Sequence, residues 1–425
     1  MYSFAYLFER FPSFVQTFVY RESEEMLRQG MNPWLVSIRR PEDPVELAKT
    51  TGAPVFYLPE QRLLRAEVDE ARAARRLPWR VHRAIPKYRG QADSNRLFEA
   101  AWLGPQLRER GIGHVHAHFG GVAARTAWWL KKLYGISYSF TGHANDIFCE
   151  SGMPISNAWL VRDATLVVTE TDFAREWMQR NHHKARKRIF RVYNGIDADF
   201  PPRKPAGGVP RILSVGRLVE KKGFATLIEA CGKLRENGLG FCCEIVGEGP
   251  LMDHLKYRIR DLGLTEHVRL CGPRSQVEVR EFLARAQLFV LACVPEEGGG
   301  SDNLPTVVAE AMMCGLPVIS TALAGLPEMI EDGVDGILVP PSDSASLSLA
   351  MTRALSDEGL CKRLSSAARK KAVSKFAVET TTRELKYLLV REAGIDPTLQ
   401  ALTADPDLKS AAERSWLCRT FGWRC

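Results

Sequence analysis

Two acidic residues eight positions apart, Asp302 and Glu310, follow three glycines at 298–300 and precede a buried strand expected over 316–321. Eight residues is a little over two helical turns, which puts Asp302 at the mouth of a helix and Glu310 deeper along it. The glycines let the backbone turn tightly with its amides uncovered, and Pro305 suits the first helical position. The amides of Asn303, Leu304 and Thr306 then face outward at a helix N-terminus, where unpaired donors and the helix dipole favour a phosphate. A phosphate cradle flanked by two carboxylates can grip both ends of a nucleotide sugar, sugar hydroxyls at one acid and ribose at the other. Taken alone, the pattern also describes a glycine loop leading into a surface helix with solvated acids.

The longer stretch carries a resemblance. Asp302-Asn-Leu-Pro-Thr-Val-Val-Ala-Glu310-Ala-Met-Met-Cys-Gly-Leu-Pro-Val-Ile-Ser320, followed by Ala324-Gly-Leu-Pro-Glu328 and Asp335-Gly-Ile-Leu-Val-Pro-Pro341, resembles glycosyltransferase family 4. Those are retaining nucleotide-sugar glycosyltransferases of the GT-B architecture. The resemblance therefore implies an α/β protein with two Rossmann-like domains whose parallel sheets face each other across a cleft. The family's mark is Glu, seven residues, Glu; here Asp302 replaces the first Glu. Its side chain is one methylene shorter, so either the backbone approaches the sugar more closely or a water intervenes. Near the start, Phe11-Pro-Ser-Phe-Val-Gln-Thr-Phe18 is similar to exopolysaccharide and colanic-acid type members, which carry Ser-Glu-Thr-Phe where this chain has Val15-Gln16-Thr17-Phe18.

Site roles follow from the resemblance. In the turn Gly216-Arg217-Leu-Val-Glu-Lys-Lys222-Gly223, Arg217 and Lys222 correspond to the pair that clasps the donor diphosphate. Because the diphosphate departs, two fixed cations lower the barrier without a metal; Lys221 is the alternative to Lys222. Gly247, Gly272 and Pro273 border the nucleotide with Gly216, Asp302 positions the sugar, and Glu310 grips the ribose. His143 closes a strand facing the donor, where an imidazole can donate to a hydroxyl or stabilise developing charge. Asp146 is expected to hold its tautomer, and a buried His paired with its neighbour is the plainer reading of the same two residues. On the acceptor side, Ser13 and Thr17 occupy a loop at the carboxyl edge of a parallel sheet, where ligands bind in such folds. His118 and Gly120 lie at a sheet edge turned toward the cleft. The implied chemistry is front-face attack assisted by the leaving phosphate, with hinge closure about a linker.

Short apolar runs alternate with amphipathic stretches along the whole chain, which predicts repeated strand-helix units and parallel sheets. Strands are expected over 3–8, 137–140, 165–169, 189–193, 211–215, 241–246, 267–271 and 287–292, and helices over 343–355 and 358–373. The resemblance implies an N-terminal acceptor domain over 1–195, a linker over 196–209, a nucleotide-sugar domain over 210–375, a helix over 376–392 returning to the first domain, and a tail over 393–425. The run Pro201 to Pro210, from within the linker to the first residue beyond it, has four prolines and two glycines, which excludes a helix or central strand. The Gly247-Glu-Gly249 pair lacks a third glycine and a following acidic ribose ligand, so a dinucleotide cofactor is not expected. His114, His116 and His118 alternate on one strand face. Metal binding there is set aside because no carboxylate or thiol stands nearby at ligand spacing, and no cofactor is expected beyond the sugar-nucleotide co-substrate.

A chain of 425 residues, 45% hydrophobic and 25% charged, suits two globular domains. No run approaches the roughly eighteen apolar residues of a membrane span, and Glu9 and Arg10 interrupt any signal-peptide core, so a cytoplasmic protein is expected. The ten cysteines include no Cys-x-x-Cys pair, which argues for reduced thiols. Of the net +8, residues 1–200 carry +7, with 29 Lys or Arg against 22 Asp or Glu. Residues 62–89 hold nine of those bases among Leu63, Leu64, Leu77, Trp79, Val81 and Ile85, and a second basic cluster spans 180–191. This reads as a face for the anionic inner surface of the plasma membrane, or as a solvated face. Nucleic acid is not expected, since no RNA-binding motif accompanies the charge. Partners are thus a nucleotide-sugar donor and a glycan or lipid-linked acceptor. The competing readings are a nucleotide-sugar epimerase on the same fold and a non-catalytic basic scaffold binding membrane or RNA.

Overall fold

Strands such as Leu288–Leu291 and Val318–Thr321 are buried at every residue, the signature of parallel sheets covered by helices on both faces. The computed structural model describes residues 4–13, 16–41, 53–148, 154–200, 203, 207–296 and 301–395. The glycines at 298–300, half of the proline-rich linker run and the tail beyond residue 395 lie outside the described residues.

The first sheet contains β1 (Phe4–Arg10), β2 (Pro33–Arg39), β3 (Val55–Tyr57), β4 (His114–His118), β5 (Ser137–Gly142), β6 (Val167–Thr169) and β7 (Ile189–Arg191). Their order is β3-β2-β1-β4-β5-β6-β7, and all pairings are parallel. The second contains β8 (Arg211–Val215), β9 (Cys242–Val246), β10 (Val268–Leu270), β11 (Leu288–Leu291), β12 (Val318–Thr321) and β13 (Ile337–Val339). It runs β10-β9-β8-β11-β12-β13, again parallel throughout. In each sheet the order reverses beside the first strand, between β1 and β4 and between β8 and β11. Loops leaving the carboxyl ends at such a reversal diverge and leave a crevice for a ligand.

The chain divides into two compact units, one of Met1–Thr169, Met178–Val192 and Glu379–Cys425, the other of Glu170–Trp177 and Tyr193–Val378. The last described helix, Val378–Ala393, packs Leu385 and Leu389 among Phe4, Tyr6 and Val168 of the first unit. In the second unit Glu328 accepts the backbone N–H groups of Asp172 and Phe173 at 2.7 and 2.6 Å, satisfying orphan donors where the helix Asp172–Asn181 begins. Glu328 thus has a structural task within the sequence pattern that carried the resemblance.

Two of the boundaries that differ from expectation do so for evident local reasons. Pro305 is the cap before the helix Thr306–Met313, not its first residue, because its ψ of 102° is extended. Strand β12 starts at Val318, not Leu316, because the Leu316 N–H returns to Ala311 O at 3.0 Å and closes the preceding helix end. The described cysteines are free thiols, and among the described residues no helix is long and apolar enough to cross a membrane.

Candidate active site

The second unit's site is built at the β8/β11 reversal. After β8 the chain makes a single 3-10 turn, Glu220–Lys222, and Gly223 follows at φ +64° with its backbone against β11's outgoing chain. A Cβ on Gly223 would lie 1.7 Å from the Ala292 carbonyl oxygen. Val294 N–H donates to Lys221 O at 3.1 Å, so the two loops are stitched together. This close approach carries Lys222 onto Asp302, and the Lys222 ammonium forms an ion pair with Asp302 Oδ2. Both side chains are only about 15% exposed, at 15% and 16%. Burial works against the Lys222 charge, yet the Asp302 carboxylate outweighs it and holds the ammonium above the usual lysine range. The same surroundings push the Cys293 thiol up, by burial and then by the Asp302 charge.

Three glycines expected at the donor touch one another. Gly247 N–H donates to Gly272 O at 2.9 Å, and a Cβ on Gly247 would meet Gly216 O at 2.0 Å. The ends of β8, β9 and β10 therefore form one continuous backbone edge, with the Lys222 stem lying over Gly216. Arg217 and Pro273 stand exposed on this edge. Asn303 and Leu304 have other side-chain duties. Asn303, 1% exposed, accepts from Thr171 Oγ1 at 2.9 Å and donates to Glu170 Oε1 at 3.1 Å, while Leu304 enters the core beside Val308 and Phe289. What these two can offer a ligand is main chain. Thr306 and Glu310 are half-buried on the helix that follows.

The first unit gathers its histidines at the β1/β4 reversal. His114 and His116 on β4 face β5 and bond Ser137, Ser139 and Thr141 at 2.7 to 3.1 Å, forming a buried polar ladder. Burial keeps both neutral, pushing His114 down to about 3 and His116 well below its ordinary value. His118, at the strand's end, bonds Glu22 Oε1 at 3.0 Å and Tyr6 Oη at 3.2 Å. A carboxylate does stand beside the histidines, contrary to the sequence expectation. It comes from the helix Thr17–Arg28, 96 residues away in the chain, where no ligand-spacing rule would look. Among the described residues no group of three or more His, Cys, Asp or Glu is placed to hold a metal.

His143, 8% exposed, follows β5 and stacks on His118 with ring centroids 6.0 Å apart. Phe119 and Phe18 close around it at 4.5 and 4.9 Å. Asp146 Oδ2 accepts the backbone N–H of His143 at 3.1 Å, as an acid in a helix first turn does, and that bond anchors the loop. Gly120 lies against the Asp146 side chain, where a Cβ would come within 3.1 Å. Ser13 and Thr17 flank the start of the first helix, half-buried, with Ser13 O accepting from Gln16 N–H. Tyr6, Phe18, Glu22 and Phe119 escaped the sequence reading. The usable signal was the four-residue spacing of Phe18 and Glu22, which puts both on one helix face.

The neutral ladder gives a pH dependence with a definite sign. Since His114 titrates near 6.5 unfolded and about 3 folded, its contribution is complete above pH 6.5 and drains away as pH falls toward 3. Thermal unfolding followed between pH 7 and 4 should show a falling midpoint, and His114→Gln should flatten that slope. An unchanged slope in the variant would show that other groups set the acid sensitivity.

Residues 15–200 match the family described as Glycosyltransferase Family 4, and residues 196–371 match Glycosyl transferases group 1. The chain is 36% identical over 405 residues to the "Putative colanic acid biosynthesis glycosyltransferase WcaL" of Escherichia coli, covering 89% of this chain and 97% of that protein. The chain is a family 4 glycosyltransferase of the GT-B type. It is also 38% identical over 183 residues to the amylovoran biosynthesis glycosyltransferase AmsK of Erwinia amylovora, a span of 43% of this chain and 45% of that relative. The solved structure of HepE from Anabaena, in complex with UDP, superposes with a TM-score of 0.67 at 17% identity over 91% of this chain and all of that one. In this family 4 glycosyltransferase, then, the Lys222–Asp302 pair and the glycine edge occupy the crevice that the fold leaves at its second switch point.

Proposed function

We propose that the chain transfers a hexosyl group, with retention of anomeric configuration, from a nucleoside diphosphate sugar to a glycan or lipid-linked acceptor during exopolysaccharide biosynthesis. The observation that carries this reading is the Lys222–Asp302 ion pair beside the backbone edge of Gly216, Gly247 and Gly272. A diphosphate entering there offers Lys222 a stronger anion than Asp302, and the released carboxylate becomes an acceptor for the hydroxyls of the attached sugar. Lys222 and Arg217 then neutralise the charge that grows on the departing phosphate, a stabilisation present where the charge develops. Glu310 holds the ribose, and His143, in its aromatic surround, supports the reacting face. No metal is needed, because the fixed cations supply the charge. The relatives named for amylovoran and colanic acid biosynthesis support the polysaccharide context; nothing in the fold or the relatives favours the epimerase or scaffold readings.

The membrane part of the proposal rests on the helices Gln61–Ala73 and Trp79–Tyr88. Trp79 is 63% exposed and Leu63 59%, with the Arg83 and Arg80 guanidinium groups 5.5 and 5.7 Å from the Trp79 ring centroid. Aromatic and basic side chains paired in this way suit an anionic lipid interface on the cytoplasmic side.

A panel of nucleoside diphosphate sugars, assayed for nucleoside diphosphate release with an extract of polysaccharide acceptors and anionic or neutral vesicles, tests the proposal. Release should occur with one donor class, the product should keep the donor's anomeric configuration by NMR, and the protein should sediment with the anionic vesicles only. Conversion of a donor without any acceptor would instead establish an epimerase.

A further inference from the structure

A pocket of about 750 Å³ opens in the first unit at the carboxyl ends of β2 and β3, on the β2 side of the β1/β4 reversal. Its size lies in the range that encloses small ligands, roughly 300–1,000 Å³. Its wall includes Arg39, Arg40, Tyr57, Glu60, Gln61, Arg96 and Glu99. The Arg40 guanidinium lies over the Tyr57 ring, 4.8 Å from its centroid. Arg96, 5% exposed, pairs with Glu99 at 2.6 Å, and Glu99 also accepts from Thr126 at 2.8 Å. Burial, opposed by Arg96, pushes the Glu99 carboxyl up to about 7. Two further donors, Arg96 Nε and Gln61 Nε2, are buried with no hydrogen-bond partner among the described residues. At the rim Arg39 pairs with Glu9 at 2.9 Å.

Two buried donors of the wall therefore lack an acceptor among the described residues, and Arg40, stacked on Tyr57, is the wall's guanidinium outside the Arg39–Glu9 and Arg96–Glu99 pairs. An aromatic face beside a guanidinium suits the apolar face of a sugar ring, and spare guanidinium and amide donors suit an oxyanion on that ring. Buried donors left unpaired are costly, which favours a ligand that brings acceptors. We propose that this pocket is a second saccharide subsite that takes an anionic sugar residue of the acceptor, one bearing a carboxylate or a phosphate. The proposal rests on the glycosyltransferase reading for its acceptor and adds that acceptor's charge.

Saturation-transfer NMR and calorimetry on the full chain, with D-glucuronate, D-glucose and inorganic phosphate as probes, test it. Glucuronate should bind at millimolar concentration and glucose should not. Arg40→Ala and Tyr57→Ala should each weaken glucuronate binding by about tenfold, the loss expected for one charge-assisted contact. Arg40 is exposed and Tyr57 half-buried, so both variants should fold, and nucleoside diphosphate binding to the second unit should stay unchanged. Phosphate binding that is equally sensitive to Arg40→Ala would assign the oxyanion to a phosphate of a lipid-linked acceptor; glucuronate binding alone would assign it to a sugar acid. No binding of either anion, or binding indifferent to both variants, overturns the subsite. If anion binding and its loss hold while no donor is ever turned over, the transferase proposal fails and the sugar-acid site stands.

Discussion

Replacing Lys222 with alanine should slow nucleoside diphosphate release by about a hundredfold to a thousandfold, the usual loss when one fixed group stabilising transition-state charge is removed. The effect is large because the ammonium is pre-placed. It is only 15% exposed, paired with Asp302, and held by a turn whose backbone is pressed against the chain leaving β11. In such a partly dry site its field on a leaving phosphate is screened far less than at the surface. The variant also leaves Asp302 without its cation, which should cost about 1–3 kcal/mol, less than for a fully buried pair because some solvent reaches the carboxylate. The double variant Lys222→Ala with Asp302→Asn separates the two effects. Its thermal midpoint should return most of the way while its release rate stays low. A Lys222→Ala rate within tenfold of the parent would remove Lys222 from the chemistry. Because the Lys222 pKa is raised, the pair's stabilisation is intact below the unfolded lysine value of about 10.4 and is lost only as pH climbs through the higher folded value. The release rate should show no Lys222 titration between pH 7 and 9.

Gly223→Ala should be the most damaging single methyl group in the second unit. Its φ of +64° is unfavourable for a side chain, and the added Cβ would fall 1.7 Å from Ala292 O and 2.6 Å from Ala292 C. Neither atom belongs to a side chain that can swing away. The strained backbone costs about 1 kcal/mol, and the collision should raise the total to about 3–5 kcal/mol, at the extreme of single substitutions. For a unit of this size that is a fall in melting temperature on the order of 10 °C, readable by calorimetry. Gly238→Ala is the matched control, with a similar φ of +73° and open space where its Cβ would go; it should cost about 1 kcal/mol. Equal losses in the two variants would show that backbone strain, with no contribution from contact with Ala292, sets the cost. Any Gly223→Ala protein that folds should also have lost activity, since the shift that relieves the clash draws Lys222 away from Asp302.

Short-range pattern by itself determined the class of fold, the alternation of buried strands and amphipathic helices, and, for the elements to which it set limits, most of those limits to within two residues. It also picked out the loops that matter, because glycine, proline and acid spacing in 216–223 and 302–310 is a local property of a turn entering a helix. The misplaced cap at Pro305 and the late start of β12 were also local, but they depended on a ψ angle and on one helix-closing hydrogen bond that residue types do not specify.

Only tertiary structure decided which of these residues meet. Lys222 and Asp302 looked like separate grips on phosphate and sugar until the β8 and β11 loops brought them into one ion pair. Gly216, Gly247 and Gly272 came from three strand ends and became one edge. His118 found Tyr6 and Glu22 across 112 and 96 residues of chain, and Asn303 proved to be a buried brace for Glu170 and Thr171. The physical reason is the parallel sheet. Every strand returns through a helix to deliver its carboxyl end at the same edge, so residues far apart in sequence become neighbours in an order set by strand pairing, a long-range choice that no local spacing encodes.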